Sequence, residues 1–438
     1  MRNFIYILLL SFFASTAIAQ QQITTYYPPD YRVKKESYTI LNGDSSMIDG
    51  KYTKYFEDGA IAINGEFIKG KPSGIFTEYY ENGNVLSKTT YENGLKTGAF
   101  EILSKTGKQI QKGGYVEGKL NGLVNGYFED GTIKTKTNFK EGTPDGQAEE
   151  YYPNGNLKQS FNYINGKQAG DAITYYENGK TSAEFSYQNG VITGAYQTYY
   201  SNGVKEWTYQ YLNGYKTGPY QHYNTKGKLI DEGAYYEGIL TGPRNTYYDD
   251  GAKKEVFNYQ TGAKIGENYV YYPSGKLMWL ENYTKIAKDG QLTEYYESGQ
   301  IKTQQFFTGG RENKTWKTYY ENGQVAAESP YLEGVLNGDV KIFSEEGVLE
   351  KTIPYKFGRN TGAEITYYPN KKKHTETKLL DGQKSGRYYE YYENGKVKVK
   401  GNHLYDVRQG NWEYYDTSEK LIKTENYSRG RLMSSSEN

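Results

Sequence analysis

Three histidines, His222, His374 and His403, and no cysteine make up the whole stock of imidazole and thiol in this 438-residue chain. A nucleophilic or metal centre of these residue types needs several of them converging on one point. His222 stands more than six repeat lengths (defined below) from either of the others, roughly 60 Å along an extended array. His374 and His403 fall in adjacent units, and simple alternation sets them on opposite faces. His403 also occupies a position that is aromatic in most units, so it reads as a ring replacing a ring. Without cysteine, thiolate metal sites are excluded. Gly179-Lys180-Thr181 resembles the end of a phosphate-binding loop, but Thr174 stands where the leading glycine belongs. No catalytic, metal or cofactor site is expected, and the chain is not expected to be an enzyme.

Tyrosine, with 51 residues, is the more informative side chain. Tyr80, Tyr152, Tyr176, Tyr200, Tyr248, Tyr272, Tyr296, Tyr320, Tyr368 and Tyr392 are separated by multiples of 24. Lys88, Lys134, Lys158, Lys180, Lys254, Lys302 and Lys398 recur near them. Regularly spaced rings and cations could hold a glycan, a peptide or lipid headgroups by stacking and hydrogen bonding. The competing reading is that Phe76-like neighbours and lysine stems cover these rings. Three units put Ser104, Asn224 or Ser344 in the same column; such residues suit the first position of a type I turn.

The element that must carry these residues is a repeat of 24. Glycine recurs at that interval from Gly59 through Gly83 to Gly347, is replaced by Lys371, resumes at Gly395 and gives way to Glu419. Further columns run through Gly70 and Gly94, Gly74 and Gly98, Tyr79 and Tyr127, and Tyr91 and Tyr115. Sixteen units of 24 residues span 50–433 without an insertion or deletion. Each reads as strand, tight turn, strand and glycine-rich connector. Pro153, Pro273 and Pro369 precede the turn Asn or Ser in three units. Proline suits position i+1 of a type I turn, whereas a two-residue I′ turn would need its missing N–H. A type I turn with a glycine bulge is therefore expected. It sets Tyr79 opposite Val85, and unbroken alternation then places Tyr79, Val85 and Tyr91 on one apolar face, with Tyr80 on the other.

A lone two-stranded hairpin is marginal, so stacked neighbours must stabilise it. The fold class expected is all-β: an elongated, twisted array of about sixteen stacked hairpins in one open sheet, a ribbon or half-pipe roughly 150 Å long. Residues 20–49 read as a degenerate cap and 434–438 as a frayed end.

Composition bounds the partners. Mean hydropathy is −0.88 and the formal charge is +1, with 53 basic against 52 acidic residues. That balance, evenly mixed, argues against nucleic acid. Arg2, the apolar run from Phe4 to Phe13 and Ala17-Ile18-Ala19 have the pattern of a cleavable export signal over 1–19. No later stretch is apolar enough to span a bilayer.

The pattern Gly74-x-Phe76-x-x-Tyr79-Tyr80-Glu-Asn-Gly83, followed by Tyr91-x-Asn-Gly94-x-x-x-Gly98, resembles the bacterial variant of the MORN repeat over 50–433. The resemblance implies stacked β-hairpins and a scaffolding or protein-contact role, with membrane-lipid association in some members. Some relatives are antitoxin-like, a role at odds with an export signal. The function expected is an exported, periplasmic or extracellular scaffold with a protein partner. The alternatives are polysaccharide, cell-wall or lipid-headgroup binding through the Tyr/Lys face.

Overall fold

The computed structural model describes residues 19–285 and 288–437; all but the last residue of the expected export signal, and Ile286, lie outside them. The chain is all-β, an open antiparallel sheet built from consecutive hairpins, with 39 strands among the described residues. It divides into two compact units. One runs to Lys205 and includes Tyr211–Gly214; the other comprises Glu206–Gln210 and Tyr215 onward. The same 24-residue grammar builds each.

In the first unit, strands Lys71–Tyr79 and Val85–Glu92 form a representative hairpin. The Tyr80 N–H donates to the Asn84 carbonyl at 2.8 Å and the Gly83 N–H to the Tyr80 carbonyl at 2.9 Å. Gly83 has φ 83°. This is the expected type I turn with a glycine bulge, and Pro153 and Pro369 sit in turns with the same two bonds. Where glycine is missing the backbone still takes the left-handed conformation, with φ 67° at Lys371 and 76° at Glu419.

The connector is a second tight turn. Glu92 pairs with Leu95, and Asn93 and Gly94 have φ 51° and 87°. Positive φ at both central residues defines the two-residue type I′ hairpin, whose twist matches its flanking strands. Gly98, at φ 60°, then occupies a bulge in which Thr89 pairs with Phe100 but Tyr91 pairs with Lys96.

One expectation fails here. Tyr79 does pair with Val85, but Glu78 pairs with Ser87, leaving Leu86 as an extra residue. A bulge of one residue reverses the parity of everything beyond it. Tyr91 therefore shares a face with Phe76, not with Tyr79; the Phe76 and Tyr91 rings are 5.0 Å apart. On that aromatic face Tyr52, Phe67, Phe76 and Tyr91 form an edge-to-face chain with centroids 5.0–5.4 Å apart. Tyr79 faces the other way, with the lysine of the Lys88 column. Further along that face, the Lys112 ammonium lies 5.6 Å from the Tyr127 ring centre.

Six of the buried apolar side chains occupy the column of Phe76: Phe100, Val124, Ala148, Ala172, Tyr220 and Trp412. Their cross-strand partners compensate for size. Phe100 pairs with Gly113 and Tyr220 with Gly233, whereas Ala148 pairs with Phe161 and Ala172 with Phe185. A Cβ on Gly113 would lie 2.8 Å from the Phe100 ring. Pair volume is kept while neither column keeps its residue type, as close packing requires.

Candidate functional site

The tyrosines expected to form a binding face all lie half-buried on the aromatic face. Their hydroxyls are directed at the backbone. Tyr80 donates to the Leu103 carbonyl at 2.9 Å, Tyr152 to Tyr175 at 2.9 Å and Tyr176 to Tyr199 at 2.6 Å. Tyr248, Tyr272, Tyr296, Tyr320, Tyr368 and Tyr392 make the same bond to the carbonyl 23 residues ahead, at 2.7–2.9 Å. Tyr200 is engaged as well. A buried hydroxyl is expected to find a partner, and here the partner belongs to the next hairpin. Ser104, Asn224 and Ser344 turn inward instead. Each side-chain oxygen accepts two N–H groups of its own turn, as their residue types suggested.

The lysines divide between the faces. Lys134, Lys254 and Lys398 sit 5.7–5.9 Å from the ring centres of Phe128, Tyr248 and Tyr392. Lys158 and Lys398 also pair with Glu150 and Glu390. Lys88, expected beside Tyr80, lies on the opposite face and pairs with Glu101 at 2.7 Å. Lys136–Glu149, Lys317–Glu328 and Lys400–Glu413 continue that face as opposite-charge pairs. Solvated pairs of this kind add little stability.

The histidines are packing residues. His222 stacks on Trp207, with centroids 3.6 Å apart and planes 3° from parallel. His374 lies against Tyr368, and His403 packs between Tyr388 and Trp412. His374 and His403 thus share the aromatic face, because the bulge reverses the parity that had separated them. Burial pushes the His222 and His403 imidazoles below their ordinary range. Among the described residues no group of three or more His, Asp or Glu is placed to hold a metal ion.

Charged clusters also stand inside the aromatic face of the second unit. Arg244 takes a core position and binds Asp231 through Nε and Nη2, while the Tyr220 hydroxyl donates to the same carboxylate. Asp231 holds the guanidinium well above its usual range. Near the C-terminus, buried Glu425 accepts from Lys423, Tyr414 and Tyr427. These donors, led by the Lys423 ammonium, hold its carboxyl at about 2. Both clusters are internally satisfied, as buried charge must be.

The two turn edges differ sharply. At the type I edge, the Asn82 amide donates to the Lys105 carbonyl of the next turn, and Asn154, Asn178, Asn322 and Asn370 repeat the contact. At the I′ edge, the turn glycine donates backward, Gly94 to Pro72 at 3.0 Å and Gly118 to Lys96 at 2.8 Å. The I′ edge also carries much of the exposed apolar surface: Ile68, Leu95, Val116, Ile164, Val191 and Leu212 in the first unit, Tyr215, Tyr236, Ile239, Val335, Phe357 and Tyr405 in the second. These side chains lie close to the following turn. A Cβ on Gly118 would sit 3.8 Å from Leu95, and one on Gly262 would sit 3.4 Å from Ile239. Period-24 analysis of the position before and after each Asn-Gly would have exposed this stripe in the sequence.

The MORN repeat variant profile matches residues 72–93, 144–165, 168–189, 288–308, 312–333, 336–357 and 384–404. No curated protein matches the chain. Among solved structures, the TcdB2-TccC3 crystal structure is similar over 93% of this chain and 26% of that one, at 16% identity and a TM-score of 0.16. The Photorhabdus luminescens Tc holotoxin pore is similar over 91% and 22%, at 13% identity and a TM-score of 0.15. The chain thus spans about a quarter of the length of those proteins, and similarity at this level carries no argument. The array of hairpins thus carries the MORN repeat variant at seven positions.

Proposed function

We propose that this protein is an exported, non-enzymatic scaffold that binds another protein through its I′ turn edge. The observation that carries the reading is that each unit leaves large apolar side chains exposed there, Ile164 at 60% in the first and Phe357 at 68% in the second. Exposed apolar side chains concentrated at one edge suit a docking surface. The residue pattern of 1–19 supports export, and long repeat surfaces commonly serve as binding platforms. A second reading, glycan or lipid-headgroup binding on the aromatic face, draws on Lys134, Lys254 and Lys398 over their rings. It is the weaker one because the tyrosine hydroxyls it would use are already bonded.

Covalent cross-linking in the native cell, with Ile164→Glu and Val191→Glu introduced together, tests the proposal. Both residues are exposed, so the far-ultraviolet circular dichroism should be unchanged. Loss of the cross-linked partner is expected. Retention of that partner, or saturable glycan binding abolished by Tyr152→Ala with Tyr176→Ala, would reverse the order of the two readings.

A further inference from the structure

The tetrapeptide Tyr-Glu-Asn-Gly occurs twice within one unit, at residues 80–83 and 91–94. Local sequence is the same, and both asparagines are exposed. The fold treats them differently. Asn82 is fixed at both ends of its side-chain amide: Nδ2 donates to the Lys105 carbonyl at 3.0 Å and Oδ1 accepts the Asn84 N–H at 3.0 Å. Asn154 and Asn178 are held by the same pair of bonds. Asn93, Asn165, Asn189 and Asn213, in the I′ turns of the first unit, have no side-chain hydrogen bond among the described residues.

We infer that the I′ turn asparagines Asn93, Asn165, Asn189 and Asn213 are sites of spontaneous deamidation, and that the type I turn asparagines Asn82, Asn154 and Asn178 are protected by their inter-repeat bonds. In the reaction the backbone nitrogen of the following glycine attacks the asparagine Cγ. The new C–N bond closes a succinimide, the Cγ–Nδ2 bond breaks, and the amide leaves as ammonia. Water then opens the ring at either carbonyl, giving aspartate or isoaspartate. The net change is one amide and one water converted to one carboxylic acid and one ammonia, with no oxidant or reductant.

Glycine follows in every case, so no Cβ obstructs the attack. The attacking nitrogen is equally engaged in the two turns: Gly83 donates to Tyr80 at 2.9 Å and Gly94 to Pro72 at 3.0 Å. The difference therefore lies in the side chain. Cγ can swing toward the glycine nitrogen at Asn93, whereas at Asn82 two hydrogen bonds must first break. The cost of breaking them slows ring closure by about tenfold or more. The fold accepts the aspartate product, because Asp381 fills the same turn position at φ 48° and Glu117 and Glu141 fill it at 48° and 49°. Each conversion places a carboxylate among the exposed apolar side chains of the I′ edge, beside Leu95, Val191 or Leu212.

Incubation of the full chain at mildly alkaline pH, followed by peptide mapping with mass spectrometry and isoaspartate detection, tests the inference. Conversion at Asn93 is expected to outpace conversion at Asn82 by about tenfold. In strong denaturant the two Tyr-Glu-Asn-Gly sites are expected to react at similar rates, which assigns the difference to the fold. Equal rates in the folded chain would overturn the inference. So would an Asn93 that stays intact while the denatured chain reacts, or a tenfold difference that persists in denaturant.

Discussion

The Tyr80 hydroxyl donates to the main-chain carbonyl of Leu103, 2.9 Å away, across the boundary between one repeat and the next. The bond recurs along the array and explains why tyrosine, and not phenylalanine, dominates the column. The ring covers the sheet while the hydroxyl bonds a carbonyl of the next hairpin.

Tyr176→Phe, which leaves the Tyr199 carbonyl without this donor, is expected to cost about 1 kcal/mol. The urea midpoint of the full chain should fall accordingly. Tyr152→Phe should behave alike.

Gly401→Ala is expected to destabilise the second unit by roughly 1–3 kcal/mol, because its new methyl would meet the Trp412 ring. Trp412→Leu is destabilising on its own, but the two together should cost less than their sum. A double-mutant cycle in chemical denaturation measures the coupling.

Lys371→Gly is expected to be neutral or to stabilise by up to about 1 kcal/mol, since a left-handed backbone strains any residue with a Cβ. Lys371 has φ 67° and its N–H donates to Tyr368 at 2.9 Å, the bond glycine makes in neighbouring turns. A clear fall in the thermal midpoint would contradict the turn geometry.

Glu425, with its carboxyl held at about 2, lies below the unfolded carboxylate value near 4.3. A group depressed in the folded state stabilises above its unfolded value and loses that contribution as pH falls through its folded value. Amide-exchange protection of the strand Leu421–Ser428 should therefore drop between pH of about 4 and about 2. Glu425→Gln should flatten that step.

Much of this architecture was legible in the residues. Proline at Pro153 and Pro369 disclosed the type I turn, and Ser104 and Asn224 disclosed the capped variants. Face assignment was not legible, because the extra residue at Leu86 changes no composition and inserts nothing into the period, yet it turns Tyr91 away from Tyr79. The packed column was hidden for another reason. Phe100 and Ala148 look unrelated until Gly113 and Phe161 opposite them are counted, so a column-by-column reading sees only variability. The tyrosine hydroxyls were ambiguous because a ligand-binding ring and a stapling ring share one residue type.

Single hairpins are held by bonds to their neighbours, as the Tyr80 hydroxyl is bonded to the Leu103 carbonyl of the next hairpin. The most direct measurement is the thermal melt of an isolated peptide spanning residues 71–94, followed by circular dichroism and nuclear magnetic resonance. A featureless, non-cooperative profile with no protected amides is expected. A cooperative melt from a monomeric peptide would contradict it.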